Sequence, residues 1–171
     1  AAAMVHHNGN GAHLIAYVTL EHTTTDDNDD EIVEQWQHVY DDLYGAEVGM
    51  SGFGTDFRGW NSSYTGDPIP LAEMEEWRSA TVDRIMALQP RRVLEIGAGL
   101  GLVLSQIAPQ CEHYVATDMS AVAIDHLARS LERLQIPWRD RVQLLTQPAD
   151  VTKTLRRDYF DTIVLNSVIQ Y

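Results

Sequence analysis

The stretch Val93-Leu94-Glu95-Ile96-Gly97-Ala98-Gly99-Leu100-Gly101 sets a carboxylate two residues ahead of three glycines spaced G-x-G-x-G. Apolar residues lead into it and a helical pattern leaves it. The glycines therefore fall in a strand-to-helix turn, where bare backbone permits a tight reversal and close approach of a ligand. Some turns of this composition are only closely packed turns. Two details narrow the chemistry if a ligand binds. The spacing differs from the G-x-G-x-x-G of loops that hold a pyrophosphate. Glu95 would also repel a pyrophosphate, whereas it suits a ligand carrying ammonium and sulfonium charges.

Three further positions could contribute. Ala116-Thr117-Asp118 ends an apolar run 17 residues after Gly101. A carboxylate at that point can grip a ribose diol, or it can cap a helix starting near Ser120. Pro148-Ala149-Asp150 follows the next apolar run, and Asp150 could accept from an adenine amino group or serve as a helix N-cap. A fourth run enters Asn166-Ser167-Val168-Ile169-Gln170-Tyr171. Polar residues there could face a ligand crevice or satisfy loop backbone. Seven histidines are scattered, and Cys111 with His113 forms a lone pair without further metal-ligand spacing, so no metal site is expected.

Alternating elements must position these groups. Strands are expected at Arg92–Ile96, Glu112–Thr117, Val142–Leu145 and Phe160–Leu165. Helices are expected over 101–108, 120–135 and 149–156, the second with Ile124, Leu127, Ala128, Leu131 and Leu134 inward. Strand and helix in turn mean a doubly wound, parallel α/β sheet. Ahead of it, Ile32, Val33, Trp36, Val39, Tyr40 and Leu43 recur at helical spacing, and Gly45 supplies a stop. A second helix is expected from Pro70 to Pro90, with Leu71, Met74, Trp77, Thr81, Ile85 and Leu88 on one face. Residues 46–70, rich in glycine and aromatics, are too irregular for an element. Residues 1–20 read as a β-hairpin around Asn8-Gly9-Asn10-Gly11. The polar stretch 21–30 reads as an acidic linker.

The 171 residues carry 12 Lys and Arg against 25 Asp and Glu, a net charge of −13. That surface repels phosphate backbones, so nucleic acid is not an expected partner. No run of about 18 apolar residues offers a membrane span. One cysteine and the absence of a basic, apolar leader fit a soluble, cytoplasmic chain.

The region from Glu95 to Gly101, with Asp118, Asp150 and the end of the fourth strand, resembles the Rossmann-type S-adenosylmethionine-dependent methyltransferases of class I. A narrower resemblance lies in Gly59-Trp60-Asn61-Ser62-Ser63-Tyr64-Thr65-Gly66, then Pro68-Ile69-Pro70, Glu73-Met74 and Glu76-Trp77-Arg78. These, with Asn166-Ser167-Val168 and Gln170-Tyr171, resemble methyltransferase domains embedded in nonribosomal peptide synthetases as interruptions of an adenylation domain. The resemblance covers about residues 36–171. Residues 1–20 are then a remnant of the adenylation C-terminal subdomain, 21–30 the linker, 31–90 a helical lead-in or lid, and 91–171 the N-terminal half of the methyltransferase domain. The family fold has seven strands and four are expected here.

The resemblance implies S-adenosyl-L-methionine as cofactor, held by Glu95, Gly97, Ala98, Gly99, Gly101, Asp118, Met119, Ala149, Asp150, Asn166 and Ser167. Trp60 and Tyr64 would form a lid over it, or merely pack the lead-in onto the sheet. Asn166, Gln170 and Tyr171 would orient the methyl acceptor. That acceptor would be the α-amine of an aminoacyl thioester on a carrier protein, making the reaction N-methylation. The alternatives are O- or C-methylation of a side chain, a non-catalytic cofactor-binding or scaffolding domain and, more distantly, a nicotinamide oxidoreductase. Partners implied are the carrier, the host adenylation domain and an MbtH-like activator protein.

Overall fold

The computed structural model describes residues 2–8, 11–17, 27–45 and 52–168. Side chains are described for the parts of these stretches from Glu34 onward. Contacts divide the chain into two units, 1–32 and 33–171.

In the first unit, β1 (Ala2–Asn8) pairs antiparallel with β2 (Gly11–Tyr17), Asn8 lying opposite Gly11. The helix α1 (Asp27–Gly45) runs across the division, with residues 33–45 in the second unit; it begins inside the stretch expected to be linker, four residues ahead of the expected start at Glu31.

In the second unit, α2 (Leu71–Met86) begins directly after Pro70. Its buried residues are Met74 and Ile85, while Leu71 and Leu88 at the two ends of the expected apolar face are exposed. Four parallel strands follow: β3 (Arg92–Ile96), β4 (His113–Asp118), β5 (Val142–Thr146) and β6 (Thr162–Leu165). Their order across the sheet is β5-β4-β3-β6. The chain thus steps outward from β3 to β5, then returns to β3's other side to lay down β6. Reversal of strand order opens a crevice beyond the carboxyl ends of β3 and β6, where α/β sheets bind ligands.

The first crossover is short, α3 (Leu104–Ile107) running into one 3-10 turn (Ala108–Gln110). The second contains α4 (Ala121–Arg133), capped by Ser120, whose hydroxyl accepts the Ala123 amide at 3.1 Å. Ile124, Leu127 and Leu131 are buried at helical spacing, whereas Ala128 and Leu134, expected inward, are exposed. The core joins Val93 of β3, Tyr114 and Ala116 of β4 and Val164 of β6 to Ile85 of α2, Leu104 and Ile107 of α3, and Leu127 of α4.

No helix forms over 149–156, contrary to expectation. Gln147 is the reason. Its amide Nε2 donates to the Val151 carbonyl at 2.7 Å, and its Oε1 accepts the Thr154 hydroxyl at 2.6 Å. A helix would need that Val151 carbonyl for its own ladder, so the side chain competes with it and holds a run of turns instead. The last strand also starts later than expected. Residue Asp161 turns its carboxylate onto the amides of Arg91 and Arg92, at 3.1 and 3.0 Å, and β6 begins after it.

Candidate active site at the carboxyl ends of the sheet

The glycine loop closes the end of β3. Gly97, Gly99 and Gly101 all have positive φ, at +76°, +50° and +79°. At two of them space is also closed to a side chain. A Cβ on Gly97 would stand 2.5 Å from the Val168 methyl beyond β6, and one on Gly101 would stand 2.7 Å from Leu127 of α4. The amides of Gly97 and Ala98 both donate to the Thr117 carbonyl, at 2.8 and 3.0 Å. The loop is therefore stitched to the end of the neighbouring strand.

Asp118 completes the stitching. It is 8% exposed, its Oδ2 accepts the Gly99 amide at 2.8 Å and its Oδ1 accepts the Ser120 amide at 2.9 Å. Ser120, not Asp118, caps α4. Burial raises the Asp118 pKa above the usual carboxylate value; the two amides oppose that rise, and the nearby charge of Asp41 adds to it. Each carboxylate oxygen has a second lone pair left for a ligand.

Glu95 lies deeper, 2% exposed, with its Oε2 accepting the Tyr114 hydroxyl at 2.8 Å. Burial pushes its pKa up to about 8; the Tyr114 hydrogen bond restrains the rise and Asp118 adds to it. Buried carboxyls around a glycine loop make a poor site for a phosphate. They suit a cation, whose arrival would favour their ionised forms.

The remaining sequence candidates divide. Met119 is half-buried directly after Asp118. Ala149 and Asp150 are exposed in the turn after β5, and without a helix at 149–156 Asp150 is not an N-cap. Asn166 and Ser167 lie half-buried after β6, and Ser167 has φ +58°, rare for a residue with a side chain. Gln170 and Tyr171 lie outside the described residues. Thus the glycine loop, Asp118, Asp150 and Asn166 all fall at the carboxyl ends of the four parallel strands. Trp60 packs on Trp77 of α2, ring centroids 4.4 Å apart, and Tyr64 is 99% exposed at the tip of a turn closed by the Asn61–Pro68 bridge.

Other side chains reach the loop and were not anticipated. The Tyr44 hydroxyl stands 3.2 Å from the position a Cβ on Gly99 would take, and Phe53 packs against Gly101. Asp41 of α1 accepts the Ser120 hydroxyl. Trp36, Tyr40 and Tyr44 repeat every fourth residue, with adjacent ring centroids 6.0 and 5.6 Å apart. That aromatic ladder ending over Gly99 was visible in the sequence as spacing, without its destination. Among the described residues no group of three or more His, Cys, Asp or Glu could hold a metal ion, and no helix is long and apolar enough to cross a membrane.

Comparison with known proteins decides the family. A methyltransferase-domain profile matches residues 94–171. CymA of Salinispora arenicola, described as a probable nonribosomal peptide synthetase, is 43% identical over 158 residues. The chondramide synthase CmdD of Chondromyces crocatus is 40% identical over 162 residues. This chain is a methyltransferase domain of the nonribosomal peptide synthetase type. The matches take in 92% and 94% of the chain but only 2% and 4% of these relatives, so the chain spans a small part of their length. The magnesium protoporphyrin IX methyltransferase of Synechocystis PCC 6803, solved with bound S-adenosylmethionine, shares the fold. It superposes with a TM-score of 0.54 at 15% identity, over 87% of this chain and 66% of its own. The four-stranded parallel sheet is that of a Rossmann-like class I methyltransferase.

Proposed function

We propose that this domain binds S-adenosyl-L-methionine at the crevice beyond β3 and β6 and methylates the α-amine of an aminoacyl thioester carried by a carrier protein. The observation that carries the reading is the Asp118 carboxylate, clamped to the Gly99 amide beside the buried Glu95. That pairing of bare backbone with buried acid fits a cationic amino-acid-bearing ligand and opposes a phosphorylated one.

In this reading Glu95 faces the ligand's ammonium group, Asp118 the ribose diol and Asp150 the adenine amine. Gly97, Ala98, Gly99 and Gly101 line the approach, with Met119, Ala149, Asn166 and Ser167 at its rim. Bound S-adenosylmethionine supplies an electrophilic methyl group on a sulfonium, released to a neutral amine with a thioether as leaving group. The chain's own task is then alignment. Orientation of two reactants can lower a barrier by ~7–11 kcal/mol, against ~10²–10⁴-fold in rate for a general base. Asn166, Gln170 and Tyr171 are the acceptor-orienting residues in this reading, and no strong base is required. Tyr44 and Phe53, already against the glycines, exclude water from the loop more directly than Trp60 or Tyr64.

The identity to synthetase segments supports a place in a longer cytoplasmic synthetase. There β1 and β2 would belong to an interrupted adenylation domain, residues 31–90 would form the lead-in and 91–171 the cofactor-binding half, with an MbtH-like protein as a further partner. The test is mass spectrometry of aminoacyl carrier proteins incubated with the synthetase module and S-adenosylmethionine. A methyl group localised by fragmentation to the α-nitrogen is expected. A methyl on a side-chain oxygen or carbon would overturn the acceptor assignment.

A further inference from the structure

Tyr114 belongs to none of the glycine loop, the strand-end acids or the lead-in, yet it is fully buried, and its hydroxyl holds a carboxyl oxygen of Glu95 at 2.8 Å. The sheet register explains how they meet. Val93 pairs with Tyr114 and Glu95 with Ala116, so Tyr114 stands one pleat behind Glu95 on the same face. Ala116, between Tyr114 and Asp118 on that face, is fully buried and adds only a methyl group. A larger residue there would fill the space in which phenol and carboxyl meet. The rest of this buried face, Ile85 of α2, Leu104 and Ile107 of α3, Leu127 of α4 and Val164 of β6, is apolar. The titratable groups acting on Glu95 are Tyr114 from behind and Asp118 from the crevice side.

We propose that Tyr114 is a positioning residue for cofactor binding: its hydroxyl anchors one Glu95 oxygen and holds the carboxylate ready for the ligand's ammonium group. This rests on the cofactor site proposed above. A buried carboxylate with no donor of its own would stay protonated or turn away, and in either case would serve a cation poorly. Because burial favours the neutral form and the phenol favours the ionised form, the hydroxyl sets the pH at which the site becomes anionic.

The experiment is calorimetric titration with S-adenosylhomocysteine, which carries the ammonium but no sulfonium, between pH 6 and 9. The unsubstituted chain, Tyr114→Phe, Glu95→Gln and the double variant are compared. Phenylalanine keeps the ring that packs the core, and circular dichroism checks that it does. Affinity should rise with pH in the unsubstituted chain. In Tyr114→Phe it should fall about tenfold at neutral pH, and its rise should move to higher pH by roughly one unit. In Glu95→Gln the pH dependence should vanish, and adding Tyr114→Phe should cost nothing more. An unshifted profile in Tyr114→Phe, or the same loss with Gln at position 95, would overturn the role of Tyr114 alone. No binding by the unsubstituted chain would overturn the cofactor site, and this role with it.

Discussion

Replacing Glu95 by Gln should make the fold more stable at alkaline pH and leave it nearly unchanged at pH 5. The folded-state pKa of Glu95 is pushed up to about 8 by burial, against an ordinary value of 4.5. Between those two values the unfolded chain has lost the proton and the folded chain has kept it. Stability must therefore fall as pH rises across that window and level off above it. One pKa unit corresponds to about 1.4 kcal/mol, so the loss attributable to this group between pH 5 and pH 8 is on the order of 3 kcal/mol. Glutamine does not titrate, keeps a carbonyl to accept the Tyr114 hydroxyl and fills nearly the same volume. The assay is urea unfolding of both proteins at pH 5, 6.5 and 8. Titrating groups that do not interact with Glu95 contribute equally to the two proteins and cancel in their difference. The difference should widen in favour of Glu95→Gln by about 3 kcal/mol from pH 5 to pH 8. Curves that stay parallel would show that Glu95 ionises freely in the folded chain, and the account of its burial would be wrong.

Gly97→Ala should destabilise the fold by about 2–4 kcal/mol, from a left-handed backbone that alanine disfavours and from collision with Val168. Thermal unfolding reads the loss, and adding Val168→Ala should recover the part due to collision; an unchanged melting temperature would place the loop elsewhere. Burial first, and the Asp161 charge second, push the Cys111 thiol up to about 11. Its alkylation by iodoacetamide at pH 8 should thus run at least ~100-fold slower in the folded chain than after unfolding. Equal rates would contradict the burial of this thiol, whose Sγ lies 3.7 Å from the Pro90 carbonyl and 3.3 Å from that of Ile107.

The sequence exposed the sheet through its punctuation. Short apolar runs ended in glycine or polar residues, and the four strands lie within two residues of the expected positions. The helix at 149–156 failed because Gln147, an ordinary residue in any propensity scale, captures the Val151 carbonyl. Glu95 was legible as an acid before a glycine loop, but its partner Tyr114 was not, since pairing across β3 and β4 depends on register. The lead-in signature was legible as a motif, without the partners its side chains would take. Its tryptophans stack on each other, Arg78 donates to the Gly54 carbonyl and lies over Phe57, and the side chains that reach the loop come from Tyr44 and Phe53. Which surface aromatic side chains meet is settled by tertiary contacts that local pattern does not encode.

The most direct test of the cofactor site is calorimetric titration of this chain and its Asp118→Ala variant with S-adenosylhomocysteine. Binding by the unsubstituted chain is expected. The variant should lose about a hundredfold in affinity while remaining folded, as removal of the hydrogen bonds from the Gly99 and Ser120 amides and of the ligand's own contact would require. Equal affinity in the two proteins would contradict the assignment of the crevice at Asp118 as the place where the cofactor binds.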